Sequence, residues 1–254
     1  MGLWSTNHLK TTPLTFVLLI LLTILVRMAL KNKPREVRML PIKIISVFLV
    51  VLEIIKQILS IRAGYRLHHL PLHFCSIFLY VLPLMAFYRG KYEKKISSVA
   101  TSTMTALLVG MVVMPGIIYS DYAIDSFFTD FFAFHTVFFH NLVIFALFLT
   151  LALDLHTPSG KRDEAIFISL FGTGFVLISA SASHILQTNF SNFLSSTVGF
   201  IARLVDKIAL AIGKTPITVI YTITLAALHV LLMVLTSYVY LLLTRLMKKA
   251  KRKE

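Results

Sequence analysis

The chain has 254 residues, 57% of them apolar and only 14% charged, with a net charge of +14 and a single cysteine, Cys75. Its apolar residues run in blocks of about 18 or more, the length that crossing ~30 Å of hydrocarbon requires. That pattern excludes a soluble domain of short amphipathic segments and a barrel of ~10-residue alternating strands. The positive charge falls in short loops and a tail, with no separate basic face of interleaved aromatics, so nucleic acid is not an expected partner.

In chain order the elements read as one all-α membrane domain over 1–254, a polytopic transmembrane helix bundle of about seven spans. The first, about 13–30, is long for a signal peptide, and Arg27, Lys31 and Lys33 stand where a small-residue cleavage site would be. The second is about 41–61. The third, about 70–88, contains Pro83, and the fourth, about 96–119, has Pro115 and Gly116 near its end. The fifth and sixth are about 132–153 and 165–186. Over about 195–213, Val198, Ile201, Leu204, Val205, Ile208 and Ile212 recur at helical spacing with Arg203, Asp206 and Lys207 between them. This predicts an amphipathic surface helix, with ordinary packing over the bundle as the other reading. The seventh span, about 216–244, is over-long for one crossing and runs into a basic tail, 245–254.

Basic residues orient such a chain. Sixteen of them, including Lys31, Lys33, Arg35, Arg38, Arg89, Lys91, Lys94, Lys95, Lys161, Arg162 and six in the tail, fall on one side, against six on the other. The opposite side carries Asp121, Asp125 and Asp130 between the fourth and fifth spans. The N-terminus is therefore expected outside and the C-terminus in the cytoplasm, in the plasma membrane if the source is bacterial.

With that orientation, at ~1.5 Å per residue, the unusual polar groups fall at one level. His73 lies ~5 Å and Cys75 ~8 Å below the outer boundary, His135 ~5 Å, His140 ~12 Å, His184 ~3 Å, Glu53 ~12 Å and Lys56 ~8 Å. An ionisable residue costs about 3 kcal/mol or more at a bilayer centre, so several at one depth imply an outward-facing pocket in which they satisfy one another. Each also has a plainer role: Cys75 as a small buried hydrophobe, His73 and His184 as interfacial groups, Glu53 and Lys56 as a self-neutralising pair on one helix face. His229, midway along the seventh span, reads as a packing or helix-linking group.

A thiol with an imidazole in an apolar pocket suits nucleophilic acyl transfer. The thiolate is the nucleophile, and the imidazole takes its proton and returns it to the leaving group. At this depth the nucleophile meets phospholipid ester carbonyls without the lipid leaving the bilayer. A zinc site is the chemical rival, but no HExxH pair is present, and His135 and His140, five apart, point to different sides of a helix. No metal or other cofactor is therefore expected. A transporter or ligand-binding subunit using the same pocket is the reading from a different class.

The stretch Leu70-Pro71-Leu72-His73-Phe74-Cys75, a later histidine at His135 or His140, the segment Thr188-Asn189-Phe190 and the upstream Glu53 carry a family resemblance. Over about Ile42 to Tyr240 the chain resembles the YwaF-type integral membrane proteins, to which eukaryotic transmembrane protein 164 belongs. Phe139-His140-Asn141 stands where the family has Ser-His-Gly. The resemblance implies an acyltransferase with membrane phospholipids as acyl donor and acceptor, Cys75 as the acyl-carrying nucleophile and His140 its partner, with His135 the competing base. His73, Glu53, Lys56, Asn141, His184 and Asn189 are the expected substrate-binding residues.

Overall fold

The computed structural model describes residues 4–118 and 120–251 and is all-α. Its helices are α1 (Thr6–Leu30), α2 (Arg35–Arg38), α3 (Leu40–Arg62), α4 (Phe78–Phe87), α5 (Glu93–Val113), α6 (Pro115–Ile118), α7 (Asp121–Asp125), α8 (Phe131–Ala152), α9 (Arg162–Leu186), α10 (Gly199–Ile212) and α11 (Lys214–Lys251). Among the described residues, six helices are long and apolar enough to cross a membrane, and the shorter apolar segment Phe74–Phe87 accompanies them. The chain is thus a multi-pass integral membrane protein. The tail residues Arg252 and Lys253, expected to face the cytoplasm, lie outside the described residues.

Local chemistry sets the helix ends. Ser5 and His8 form a reciprocal cap on α1, the Ser5 hydroxyl accepting from the His8 N–H at 3.3 Å and His8 Nδ1 from the Ser5 N–H at 3.2 Å. Asp130 caps α8 by accepting from the Phe132 N–H at 2.7 Å. The fourth predicted span stops at Val113, short of 119, because Pro115 disfavours helical backbone at Met114, which sits at φ −143°, ψ 60°.

The third predicted span departs most from expectation. Leu70 to His73 is not helical; Leu70 and His73 are extended, at φ −56°, ψ 139° and φ −71°, ψ 154°. A 3-10 turn at Phe74–Ile77 then leads into α4. Pro71 is the cause, since it biases Leu70 away from helix and supplies no N–H of its own. Ser179 of α9 donates to the Leu72 carbonyl at 2.6 Å and pins the extended stretch. Irregular backbone at membrane depth is tolerated only where protein buries it or it lines a cavity. Leu70 to His73 therefore precedes the helical segment, and Phe74 and Cys75 open it.

Around α5 the bundle closes. Ser97, Ser98, Thr101, Ser102, Thr103 and Thr105 are buried along it, and such small side chains let neighbouring helices approach closely. Thr236 of α11 donates to the Ser102 carbonyl at 2.9 Å, and Ser102 donates back to the Met233 carbonyl. α5 packs on α4, α8, α9 and α11, while α3 packs on α4 and α8. The outward flank of α1, with Leu14, Leu18, Leu21 and Leu25, stays exposed, an apolar surface that a bilayer covers.

The two ends of the bundle differ. At one end Asn7 of α1 donates to Asp125 at 2.9 Å and the Tyr122 hydroxyl to Asp130 at 2.6 Å. At the other, the Tyr240 hydroxyl reaches the His156 carbonyl at 3.4 Å, Lys248 reaches Thr157 at 3.1 Å, and Arg35, Lys91, Lys94, Lys95 and Lys161 line a cleft of about 900 Å³.

Candidate functional site

A second cavity, of about 680 Å³, opens at the acidic end, away from the basic cleft. Glu53, Lys56, His73, Cys75, His135, His140 and Asn189 all line it. They come from α3, the LPLHFC stretch, α8 and the loop after α9, so residues far apart in sequence meet in one space. Asn141 and His184 do not line it. His184 Nε2 lies 3.0 Å from the Thr222 hydroxyl and ties α9 to α11, while Asn141 Oδ1 is buried without a hydrogen-bond partner among the described residues.

On the α3–α8 wall the Glu53 carboxylate is the hub. Its Oε1 holds Lys56 Nζ at 2.7 Å and accepts from Gln57 Nε2 at 2.6 Å, and its Oε2 stands 3.2 Å from His135 Nε2. The His135 contact is at ion-pair distance but is not aligned as a straight hydrogen bond. Gln57 also donates to the His69 carbonyl at 2.7 Å and accepts from the Tyr65 hydroxyl at 2.7 Å. Ser60 Oγ lies 2.5 Å from His69 Nδ1. The network lashes the 63–70 connection onto α3. Burial, then the Lys56 ammonium, hold the His68 and His69 imidazoles below the usual histidine range, so both are neutral hydrogen-bonding groups at pH 7.

His140 is 6% exposed, and its Nδ1 lies 2.6 Å from the Thr136 carbonyl one turn back. A carbonyl only accepts, so the ring proton sits on Nδ1 and the lone pair on Nε2, the tautomer of a base. His229 of α11, which also lines the cavity, repeats the device with Nδ1 2.8 Å from the Leu225 carbonyl. His73 differs: Nε2 donates to the His68 carbonyl at 3.1 Å and Nδ1 accepts from the Ser191 N–H at 3.4 Å. Nδ1 thus straps the extended stretch to the loop after α9, Nε2 ties it back to the 63–70 connection, and the ring packs edge-on against Phe190.

Cys75 is half-buried in the first turn of the helical segment that continues as α4. The opening N–H groups of such a segment lack intrahelical acceptors, and its positive dipole end favours a thiolate or a developing oxyanion. Cys75 and His140 line the same cavity. Among the described residues no three His, Cys, Asp or Glu side chains converge to hold a metal ion.

Beyond the sequence reading lie His68, His69, Ser191, Asn192, Thr197 and, as a cavity group, His229. His68 and His69 carried a signal, three histidines within six residues with His73, but fell ahead of the expected helix boundary. Asn189 lines the cavity, yet its amide is engaged by its own loop. Oδ1 accepts from the Leu194 N–H at 2.9 Å, and Nδ2 donates to the Ser195 carbonyl at 2.9 Å.

No curated protein and no solved structure matches the chain. The model of the TMEM164 family matches residues 3–245, nearly the whole length, on a chain whose LPLHFC cysteine shares one intramembrane cavity with His135 and His140, and the chain belongs to the TMEM164 family.

Proposed function

We propose that this protein is a membrane-embedded acyltransferase that moves fatty acyl chains between phospholipids through a thioester at Cys75. One observation carries the reading. The chain's only thiol shares a cavity between membrane-crossing helices with His140, whose hydrogen bond to Thr136 leaves its Nε2 lone pair as the basic site. With the basic end in the cytoplasm, as the excess of Lys and Arg there favours, this cavity faces outward.

His140 Nε2 takes the Cys75 proton, and the thiolate attacks the ester carbonyl of a donor phospholipid. The tetrahedral oxyanion meets the N–H groups that open the turn at Phe74 and Cys75. The carbon–oxygen bond breaks, the lysophospholipid leaves with the proton from the imidazolium, and the acyl chain stays on sulfur. An acceptor hydroxyl then attacks the thioester, its proton passing to an imidazole, and the carbon–sulfur bond breaks to restore the thiol. Glu53, held between Lys56 and His135, fastens this wall of α3 to α8. Lys56 neutralises Glu53 at 2.7 Å, so the wall adds no net charge to the bilayer.

Intact-protein mass spectrometry tests the reading. Purified protein given phospholipid with a labelled acyl chain should gain a hydroxylamine-labile acyl mass, absent from Cys75→Ala. No acyl mass, together with lipid turnover unchanged after Cys75 is alkylated, would overturn it.

A further inference from the structure

The cavity has two polar walls of different chemistry. The α3–α8 wall bears the Glu53–Lys56 charge pair, with His135 beside the carboxylate. The other is built from the loop after α9 and from α11, and presents the uncharged groups Ser191, Asn192, Thr197 and His229. The two walls belong to different parts of the bundle, since α11 packs chiefly on α5 and α9 and α3 on α8 and α4.

Three features mark the uncharged wall as built for a ligand. First, Ser191 and Asn192 both hold left-handed backbone, at φ 49° and φ 66°. Two successive non-glycine residues in that region cost free energy and persist only where their surroundings enforce them, which is common at ligand clamps. Here the enforcement is visible: the Ser191 N–H is held by His73, the Asn192 carbonyl accepts from the Tyr221 hydroxyl at 2.9 Å, and buried Phe190 anchors the turn. Second, Ser191 Oγ is buried and, among the described residues, has no hydrogen-bond partner, although it belongs to a residue lining the cavity. A buried hydroxyl without a partner costs stability until something bonds to it. Third, the Leu225 carbonyl fixes the proton of His229 on Nδ1, so its lone pair lies on Nε2. The ring is wedged between Phe74, the neighbour of Cys75, at 4.9 Å and Phe193 at 5.6 Å.

We propose that Ser191, Asn192 and His229 form a separate subsite for the acyl acceptor, an uncharged hydroxyl-bearing glycerol group of a lipid, and that His229 is the base of the second half-reaction. This rests on the thioester reading above. In that step His229 Nε2 takes the proton of the acceptor hydroxyl, whose oxygen attacks the Cys75 thioester carbonyl. The carbon–sulfur bond breaks, the new ester leaves, and the thiolate regains the proton from the His229 imidazolium. Ser191 Oγ donates to a neighbouring oxygen of the glycerol group and so gains its missing partner. Two bases on two walls have a consequence. If acceptor and leaving lysophospholipid shared one position, one base would serve both half-reactions by microscopic reversibility. A second base on the α11 wall lets the acceptor bind while the lysophospholipid still occupies the α3–α8 wall.

The test separates the half-reactions in the full-length protein, held in phosphatidylcholine nanodiscs with a labelled acyl chain. Acyl-enzyme is read by mass, then chased with lysophosphatidylcholine, lysophosphatidylethanolamine or monoacylglycerol. His229→Gln should acylate at the wild-type rate but discharge to acceptor about 10²-fold more slowly, so that thioester accumulates in the steady state. Hydroxylamine, which needs no base, should discharge the variant as fast as wild type, showing an intact fold and an accessible thioester. Ser191→Ala should raise the acceptor KM by roughly 5–10-fold with the donor KM unmoved. Equal loss of both half-reactions in His229→Gln, unchanged discharge, or a wild-type thioester that no chase molecule discharges would overturn the subsite while leaving Cys75 as nucleophile. Absence of any wild-type acyl-enzyme, together with lipid turnover unchanged after Cys75 is alkylated, would overturn the thioester reading and the subsite together.

Discussion

Glu53 on α3 and His135 on α8 meet at 3.2 Å across the seam of two membrane-crossing helices, with Lys56 closing the other side of the same carboxylate. Both Glu53 and His135 are 7% exposed, so the carboxylate depends on its protein partners rather than on water. Removing one partner of a buried ion pair leaves the other charge uncompensated. Glu53→Ala is therefore expected to cost about 3–5 kcal/mol, read as a lower unfolding temperature in detergent. Glu53→Ala combined with Lys56→Met should recover most of the loss. No recovery would mean that Glu53 stabilises the seam through His135 and Gln57 alone.

Cys75 gives a direct handle on the cavity, because it is the only thiol in the chain. A maleimide should add once to the native protein and not at all to Cys75→Ala. Bound phospholipid should slow the reaction several-fold if lipid occupies the cavity. A labelling rate indifferent to lipid would show that the thiol is reached by a path lipid does not fill.

The sequence carried the bundle and much of the site for one reason: a bilayer imposes both a length on apolar segments and a depth on polar ones. Six long helices announce themselves by length, and counting inward from loop boundaries puts Glu53, Cys75, His135 and His140 in one layer. Depth gives no rotation about a helix axis, however. His184 and Asn141 lie at suitable depth and turn away from the cavity, His184 toward Thr222. His229 lies on the cavity although its mid-span position suggested packing. The third span was expected to begin at Leu70, but the helical segment begins at Phe74, because hydropathy outweighs neither Pro71 nor the extended backbone it imposes on Leu70. Ser191 was out of reach altogether, since a left-handed serine leaves no mark in composition.

The basic end offers a pH response independent of the cavity. His156 lies in the connection between α8 and α9, with Nε2 2.8 Å from Ser98 Oγ. Burial pushes its imidazole down to about 4, against an upward pull from Glu164 and further lowering by Arg35 and Lys94. Between that value and the unfolded value near 6.5, the unfolded chain binds more protons than the folded one. Stability therefore falls as pH drops through this window, by about 3 kcal/mol at most, and above pH 6.5 this group makes no difference. Unfolding temperature measured from pH 7.5 to 4.5 should show the decline, and His156→Gln should flatten it. An unchanged slope in the variant would assign the acid sensitivity to other groups.

The seam between α9 and α11 sets where His229 stands, and two glycines of α9 report on it from opposite faces. A Cβ on Gly172 would come within 2.8 Å of Met233 Sδ and 3.7 Å of Val230 Cγ2, both on α11, whereas one on Gly174 meets nothing within 4 Å. Gly172 leaves room for the Met233 side chain, which a larger residue there must displace. Forcing a larger side chain into such a contact typically costs about 1–3 kcal/mol and shifts backbone. Gly172→Leu should therefore lower the unfolding temperature and, by moving α11, slow discharge of the acyl-enzyme more than its formation. Gly174→Leu adds apolar surface on the open side and removes a helix-weakening glycine, so it should leave stability equal or slightly higher. Equal behaviour of the two leucine variants in the unfolding assay would mean that α9 and α11 yield to each other freely, and that the position of His229 is fixed instead by the Phe74 and Phe193 rings on either side of it.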